Sequence, residues 1–259
     1  MSRDHFPYLV EQVTSLPADT QQILTPHLPD RPLLVIPPFQ HFGRQVRWPT
    51  PRRRFDWLFG SGRPSQSPEW TVALTADHLI LVARHGAPAG PEVTVIPYDS
   101  MIAFEWGAIL LYSWIEIVWT DPGIRRTRIE YNTVGEPLLR PVLETLQRAV
   151  GARHRLPSVA GQSVDIKPLF RQSMKFYNML TLHALLPDER VCTYCFEPAH
   201  RSRWLWQRGR EGLLWAVTDQ HGLLIREPRE SHSYGVIYTF CPRGEIRQAR
   251  LMEAEENVE

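Results

Sequence analysis

The chain has 259 residues, of which 43% are hydrophobic and 22% are charged, so it is long enough to bury two ordinary cores. Its 29 basic and 28 acidic side chains leave a formal net charge of +1, which excludes a global field that attracts nucleic acid or a membrane. No apolar run is long enough for a membrane helix, the N-terminus has no signal-peptide core, and three cysteines do not make a disulfide framework, so we expect a cytoplasmic protein.

The first predicted element is an N-terminal helix. Apolar residues recur at helical spacing from Phe6 to Leu16 and again after Pro17. A proline in the interior of a helix removes a backbone donor and interrupts the helix. We therefore predict a helix over residues 6–27 that is broken at Pro17 and packs against a sheet.

A stretch with the pattern of a β-hairpin then occurs twice. Residues 70–84 read WTVALTADHLILVAR and residues 213–227 read LLWAVTDQHGLLIRE. Each consists of two apolar runs of strand length joined by a short polar turn, which predicts a β-hairpin. A repeat of this kind predicts two copies of one small sheet, with Thr75 and Thr218 at equivalent places. The two stretches align without a gap, and the matched positions are Ala73, Leu74, Thr75 and His78 with Ala216, Val217, Thr218 and His221.

The flanks of the two hairpins repeat as well. The tripeptide Leu-Pro-Asp precedes a predicted strand over residues 33–36 and another over residues 191–196. After the hairpins, VTVI at 93–96 is matched with YGVI at 234–237. The similarity of the flanks extends the repeat from a hairpin to a larger unit.

The first copy continues with three more predicted strands and a helix. The strands cover residues 101–106, 110–119 and 127–131. Pro137 opens the helix at its first position, one face of it is apolar, and Gly151 ends it. Seven strands closed by one amphipathic helix therefore account for the first copy.

The second copy ends early, because it lacks the last three strands and the closing helix. A polar stretch with two prolines is predicted to be a linker, and a helix over residues 169–186 is expected to cover the truncated copy. In the alternative, the uncovered sheet edge pairs instead with the first domain or with another chain. The predicted organisation is a helix with a complete domain at 1–151, a linker at 152–168, and a helix with a truncated unit and an acidic tail at 169–259.

The repeated unit resembles the bacterial pleckstrin-homology-like domains, which are related in fold to the GRAM and eukaryotic pleckstrin-homology modules. The resemblance rests on ALTADHLILV followed by VIPYDSMIAFEW and a C-terminal helix, and on LLPDERVCTYCFEPAH and RWLWQRGREGLLWAVTDQHGLLI in the second copy. It covers residues 28–150 and 186–251. It implies a mainly β, α+β fold of two antiparallel β-barrel or half-barrel units, each with a packed helix, that serve as binding modules.

Two connections place arginines beside aromatic residues. In lipid-binding members of the resembled family, the loop between the first two strands holds phosphoinositide phosphates through basic residues, and guanidinium groups suit that role. In the alternative, the aromatic rings fold back over the sheet edge and the arginines stay solvated or face a protein. The candidate lipid-binding or partner-binding residues are Arg44, Arg47, Arg52, Arg53, Arg54, Trp57 and Phe59 in the first connection, and Arg201, Arg203, Trp204, Trp206, Arg208 and Arg210 in the second.

Four residues of the second copy have the ligand types of a structural zinc site: Cys192, Cys195, His200 and Cys241. However, residues three apart on a strand point to opposite faces, and a second Cys-x-x-Cys is absent. We therefore predict no metal site. His78 and His221 lie at hairpin turns, which favours a structural role in bonding the turn backbone.

No motif for a phosphate loop, a zinc protease or a serine nucleophile is present, so we predict no cofactor and a non-enzymatic protein. The leading hypothesis is an adaptor that binds a protein partner through barrel edges and aromatic loops. The first alternative is peripheral attachment at the inner face of a membrane through the arginine loops. The second is an enzyme with a site in a groove between the units. Nucleic-acid binding is not expected, and the sequence makes no prediction of oligomeric state.

Overall fold

The computed structural model describes residues 6–27, 32–39, 67–86, 90–152, 163–199, 211–228 and 235–243. In this part of the chain the fold is mainly β with helices, which confirms the α+β class. The strands are β1 (Tyr8–Val10), β2 (Leu33–Ile36), β3 (Glu69–Leu74), β4 (His78–Arg84), β5 (Glu92–Pro97), β6 (Met101–Ile109), β7 (Tyr112–Thr120), β8 (Ile124–Asn132), β9 (Val191–Glu197), β10 (Leu213–Thr218), β11 (His221–Arg226) and β12 (Gly235–Pro242). The α-helices are α1 (Ala18–Leu24), α2 (Glu136–Ala152), α3 (Lys167–Gln172) and α4 (Met174–Asn178).

These strands form two antiparallel sheets. Sheet A has the order β1-β2-β3-β4-β5, and sheet B has the order β8-β7-β6-β12-β11-β10-β9. The closed barrel predicted for the first copy is not formed by the described strands, which end at free edges in both sheets. A physical reason is that β6 pairs with β12, from Ile109↔Gly235 to Phe104↔Phe240, so this edge of β6 is occupied by a strand of the second copy. None of the described helices combines the length and the hydropathy needed to cross a bilayer.

The chain divides into two compact units that are not the two halves of the sequence repeat. The first unit comprises residues 1–97, 111–114 and 128–140, and the second comprises 98–110, 115–127 and 141–259. Strands β9 to β12 and the whole of β6 therefore lie together in the second unit.

The N-terminal segment of the first unit differs from the predicted broken helix. Residues Tyr8–Val10 form a strand on the edge of β2, a 3-10 turn follows at Val13–Ser15, and α1 starts only at Ala18, after Pro17. The prediction over 6–16 is wrong because pairing with an open strand edge outweighs a weak helical period. This segment and sheet A share one buried apolar cluster, made of Val10, Leu16, Leu24, Leu33, Val35, Ala73, Ile80 and Val82.

The two repeated hairpins have the same register. Ala73 pairs with Ile80 in β3–β4, and Ala216 pairs with Leu223 in β10–β11. The alignment without a gap matches Ala73 with Ala216 and Ile80 with Leu223, so aligned residues have aligned partners. The threonine at the end of the first strand bonds the histidine backbone in the same way in both hairpins. The hydroxyl of Thr75 accepts from His78 N at 2.9 Å and donates to His78 O at 3.0 Å. The two hairpins therefore share their register and the bonds of the threonine to the histidine backbone.

The strand after each hairpin aligns differently from the sequence match. Ile96 pairs with Leu79 in the first hairpin unit. Gly222 is the aligned equivalent of Leu79, and it pairs with Cys241. The structural equivalent of Ile96 is therefore Cys241, whereas the sequence match had paired it with Ile237. The side chains of a strand alternate with a period of two, so a slip of an even number of residues keeps the apolar pattern intact. The sequence match was wrong for this reason.

The helical segment before the second copy is composed of three pieces. Between α3 and α4 the backbone of Ser173 is extended, and its hydroxyl caps α4 by accepting from Phe176 N at 3.3 Å. A π-helical turn over Met179–Ala184 follows and lies against β11. The ring of Phe176 lies 5.1 Å from the ring of Phe196 on β9. The segment therefore covers one face of the β9–β12 strands, as predicted.

Candidate protein-binding face

Strands β9 to β12 have two unlike faces. Residues that are paired directly across strands share a face, so the pairs Ala216↔Leu223, Leu223↔Phe240 and Phe240↔Phe104 define one row. All four side chains are buried, and the rings of Phe104 and Phe240 stack at 4.5 Å. We call this the inner face, and it is the face that α4 covers through Phe176.

The opposite face, called the outer face, is defined by the row Cys195, Trp215, Leu224 and Thr239. Trp215 lies near its centre and is 43% exposed, Cys195 beside it is exposed, and Leu224 is half-buried. The outer face therefore exposes a large aromatic side chain among apolar neighbours, an arrangement that is typical of contact surfaces.

Polar side chains border the outer face. Arg226 Nη2 donates to Glu105 Oε2 at 3.1 Å, and Thr239 Oγ1 donates to the same oxygen at 3.5 Å. At the opposite side, Thr193 and Glu197 on β9 are exposed. An apolar centre with a polar rim is the usual composition of a protein interface.

The corresponding face of the first unit is buried. The row Leu34, Val72, Leu81 and Thr94 is formed by the same pairings in sheet A, and the first three of these side chains are 2%, 2% and 0% exposed. Trp215 thus occupies the position of Val72. The face on the other side of sheet A carries the α1 cluster. The remaining described segments of this unit, 111–114 and 128–140, contain four buried apolar side chains, Trp114, Ile129, Tyr131 and Leu139.

A buried polar cluster lies at the turn between β10 and β11. Glu189 Oε1 accepts from the hydroxyl of Thr218, and Oε2 accepts from Leu186 N at 3.0 Å. His221 Nδ1 lies 3.0 Å from Glu189 Oε1, with neither side chain exposed. The contact lacks the alignment of a hydrogen bond, so it is an electrostatic contact. Because the cluster is enclosed, it ties the segment before β9 to the hairpin and has no surface for a substrate.

The equivalent histidine of the first unit has an exposed partner. His78 Nδ1 lies 2.7 Å from Asp77 Oδ1, and the hydrogen bond from His78 lowers the pKa of that carboxyl. His78 N and His221 N each donate to the hydroxyl of the preceding threonine, Thr75 or Thr218, at 2.9 Å. Both histidine backbones therefore bond within their turns.

A second polar cluster in the first unit joins β7 and β8. Tyr112 Oη donates to Glu130 Oε1 at 2.6 Å and accepts from Arg128 Nη2 at 3.0 Å, while the Arg128 guanidinium lies 4.6 Å above the ring of Trp114. Burial, with a smaller contribution from Glu130, raises the pKa of Tyr112 above its ordinary value. The phenol therefore keeps its proton at neutral pH and serves as a hydrogen-bond donor.

A cleft of about 320 Å³ lies at the open end of sheet A, lined by Pro38, Ser67, Pro68, Glu69, Arg84, His85 and Gly86. Arg84 donates to Glu69 Oε1 at 3.0 Å and approaches Asp19 Oδ2 at 3.7 Å. Its charge is thus compensated by acidic groups of the same unit, which makes the cleft a poor site for an anion.

The thirteen arginine and aromatic candidates of the two connections all lie outside the described residues, at 44–59 and 201–210. The structure describes the ends of the first connection. Phe39 N donates to Ser67 Oγ at 2.7 Å, and Ser67 N donates to Phe39 O at 3.3 Å. These bonds hold the two ends of the first connection together.

The described zinc-ligand candidates are not gathered at one place. Cys192 and Cys195 point to opposite faces of β9, and Cys241 lies on β12, with β10 and β11 between the two strands. His200 lies outside the described residues. Burial raises the pKa of the Cys241 thiol. In the described part of the chain, no three His, Cys, Asp or Glu side chains are placed to hold a metal ion.

Sequence reasoning missed Trp215 and Glu189. Trp215 belongs to an apolar strand pattern, and the alignment of the hairpins places it at the position of Val72, where the second copy has a much larger aromatic ring. Glu189 directly follows the repeated Leu-Pro-Asp, at a position where the first copy has Arg31. In both cases the two copies have chemically different residues at aligned positions, and this difference could have identified Trp215 and Glu189 from the sequence.

Comparison with known proteins identifies no relative: no protein-family model matches the sequence, no curated protein matches it, and no solved structure matches the fold.

Proposed function

We propose that this chain is a non-enzymatic binding module of two pleckstrin-homology-like units, the second truncated, and that its outer face binds a protein partner. The order of seven strands, β2 to β8, followed by α2 supports the complete unit. The shared register of the hairpins supports the second.

The observation that carries the proposal is the unequal burial of two equivalent rows. Val72 is 2% exposed in the first unit, and Trp215, at the same position in the second, is 43% exposed. Trp215 and Cys195 are both exposed, so the outer face is not fully covered by the described residues. A partner on the outer face would give it the burial that the Val72 row has in the first unit.

The chemistry of the outer face favours a protein over an anionic surface. Its centre is apolar, and Arg226, the arginine that the described residues place in its rim, is paired with Glu105. Tryptophan at the centre of an interface is a frequent energetic hot spot, since a rigid ring buries a large apolar area. Loss of such a ring costs about 2 kcal/mol or more of binding free energy, or about thirtyfold in affinity.

The test is quantitative capture of partner proteins from the native host by purified variants. Trp215→Ala is expected to lose captured proteins that the unmodified chain retains, at a temperature below the unfolding midpoint of both proteins. Phe170→Ala is the matched control, because Phe170 is an aromatic residue of the same unit with 49% exposure and lies on α3. Equal capture by both variants would contradict the proposal.

The thiol of Cys195 gives a second measurement on the same surface. It is exposed beside Trp215, so a bound partner should slow its alkylation. Cys192 points to the other face of β9 and is half-buried, so its alkylation rate provides the internal reference. An unchanged ratio of the two rates in the presence of a captured partner would place the contact elsewhere.

A further inference from the structure

The described sheets end at four edge strands, β1, β5, β8 and β9, and three of them have features that discourage pairing with another chain. Strand β1 has three residues, β5 ends at Pro97, and β8 carries Arg125, Arg126 and Arg128. Short length, proline and positive charge are the usual means by which sheet edges are protected.

Strand β9 has none of these protections. Its seven residues read VCTYCFE, which include aromatic, β-branched and cysteine side chains but no proline, lysine or arginine. One edge of β9 pairs with β10. At the start of the other edge, Val164 N donates to Val191 O, and among the described residues no further backbone hydrogen bond reaches that edge. As far as the described residues show, the stretch 192–197 is therefore an open edge suited to strand addition.

The first unit shows what fills the equivalent edge. The counterpart of β9 is β2, and β1 pairs along its outer side, with Tyr8 opposite Val35, Leu9 opposite Leu34 and Val10 opposite Leu33. Through the matched hairpins, the three β2 residues correspond to Phe196, Cys195 and Tyr194. Tyr8 and Val10 pack on the core cluster, whereas Leu9 is 49% exposed. The occupant in the first unit is thus an antiparallel strand with apolar residues at alternate positions.

We propose that β9 accepts an extended segment of the partner protein as an additional antiparallel strand, opposite Tyr194, Cys195 and Phe196. The proposal rests on the proposed function and specifies the chemistry of the partner: a segment of at least three residues with the pattern apolar, any residue, apolar. Its two apolar side chains face the same side as Phe196, where Phe176 covers the sheet. Its middle side chain extends the outer face beside Cys195.

A synthetic peptide with the sequence of residues 6–12, FPYLVEQ, is the first probe, since it contains the strand that fills the equivalent edge. Backbone N–H groups of a strand alternate in direction. One analogue is N-methylated at the tyrosine and valine positions and another at the leucine position. We expect one analogue to bind about tenfold more weakly than the other, because only one set of N–H groups faces β9. Equal binding of both analogues would overturn strand addition.

The second probe is Thr193→Lys, which adds a charge to the open edge at an exposed position. It is expected to weaken both peptide binding and partner capture, with an unchanged unfolding midpoint. Thr127→Lys on the arginine-bearing strand β8 is the matched control and should change neither.

The outcomes separate the two proposals. If Trp215→Ala abolishes partner capture but Thr193→Lys and N-methylation have no effect, the proposed function stands and strand addition falls. If neither Trp215→Ala nor Thr193→Lys changes capture, both fall. If light scattering shows a dimer that Thr193→Lys dissociates and Thr127→Lys does not, the occupant of β9 is a second copy of the chain, and the proposal of a partner segment is overturned.

Discussion

His221 Nδ1 lies 3.0 Å from Glu189 Oε1 inside the second unit, whereas its equivalent, His78, meets Asp77 at the surface. The two hairpins have the same register, and in both the threonine hydroxyl bonds the backbone N and O of the histidine. The hairpins differ in the partner of the histidine and in the further partners of the threonine, which are Asp77 in the first unit and Glu189 and Gln220 N in the second. In the second unit the partner comes from the segment before β9, and the cluster therefore joins parts of the chain that are about thirty residues apart, as the Thr218–Glu189 bond spans 29 positions.

Removal of the buried carboxylate should be strongly destabilising. Glu189→Ala leaves Leu186 N and the Thr218 hydroxyl without their buried acceptor, at a cost of about 3 kcal/mol in the free energy of unfolding. Asp77→Ala, the equivalent change at the surface, should have no measurable effect because solvent replaces the lost group. Urea denaturation followed by tryptophan fluorescence measures both. Similar losses in the two variants would mean that burial of the pair is unimportant.

The paired threonines provide a second comparison. Thr218→Val keeps the side-chain volume but removes the acceptor of Gln220 N and His221 N and the donor to Glu189, all in a buried site. We expect a loss of about 2 to 3 kcal/mol. Thr75→Val removes the bonds with the His78 backbone and with Asp77 at a half-buried site where water substitutes for them, so a loss of about 1 kcal/mol is expected. The difference between the two midpoints in urea is the measured quantity, and a larger effect at Thr75 would contradict it.

Gly235 allows close approach at the junction of β12 and β6. A Cβ at this position would lie 2.6 Å from Pro228 Cγ, 2.9 Å from Ile109 Cγ1 and 3.0 Å from the Ala108 carbonyl oxygen. Gly235→Ala should therefore destabilise the second unit by about 2 kcal/mol, since backbone must move to relieve the overlap. Gly86→Ala, where no atom lies within 4 Å of the added Cβ, should be close to neutral. Thermal unfolding of both variants tests this difference. An unchanged unfolding midpoint for Gly235→Ala would show that the backbone at the β12–β6 junction moves at little cost in free energy.

A pH dependence should arise at the start of α2. Burial raises the pKa of Glu136 above its usual 4.5, and nearby Arg140 opposes the shift. The folded state therefore holds this proton more tightly than the unfolded state, so the stabilising contribution is complete below about pH 4.5 and is lost as pH rises through the raised pKa. Glu136→Gln cannot ionise and should become more stable than the unmodified chain as pH rises from about 4 to about 7.

Melting curves at both ends of that range give the difference between the unmodified chain and Glu136→Gln. Glu11→Gln, at an exposed position of the same unit, sets the baseline for loss of one negative charge. A relative stability of Glu136→Gln that falls with rising pH would reverse the predicted sign.

Strand existence could be read from the sequence wherever turn chemistry and alternation agreed. The polar turn at Ala76 and Asp77 between two apolar runs predicted the β3–β4 hairpin. Pro137 at the start of a segment with one apolar face predicted helix α2. The segment 8–10 could not be assigned in this way, because three apolar residues fit a helix as well as a strand and the open edge of β2 decided between them. The match of Ile96 with Ile237 was wrong because side chains of a strand alternate every two residues. A shift of the alignment by an even number of residues therefore leaves the apolar pattern unchanged.

The candidate site was accessible only in part. The alignment of Trp215 with position 72, and the possibility that the uncovered edge pairs with the first domain, could be inferred from the sequence. They did not specify that β12 would pair with β6, which leaves β9 at the edge of sheet B among the described strands. Nor did they reveal that Glu189 lies against His221, because no local pattern links a residue before one strand to the turn between the next two.

By itself, the sequence determined the local elements of this protein and their repetition, since turn residues, capping residues and apolar periods act over a few neighbouring positions. The tertiary structure alone decided which strand edges are filled, which face of each sheet is covered and which charges meet in the interior. These depend on contacts between distant segments, where burial and backbone pairing outweigh local preference.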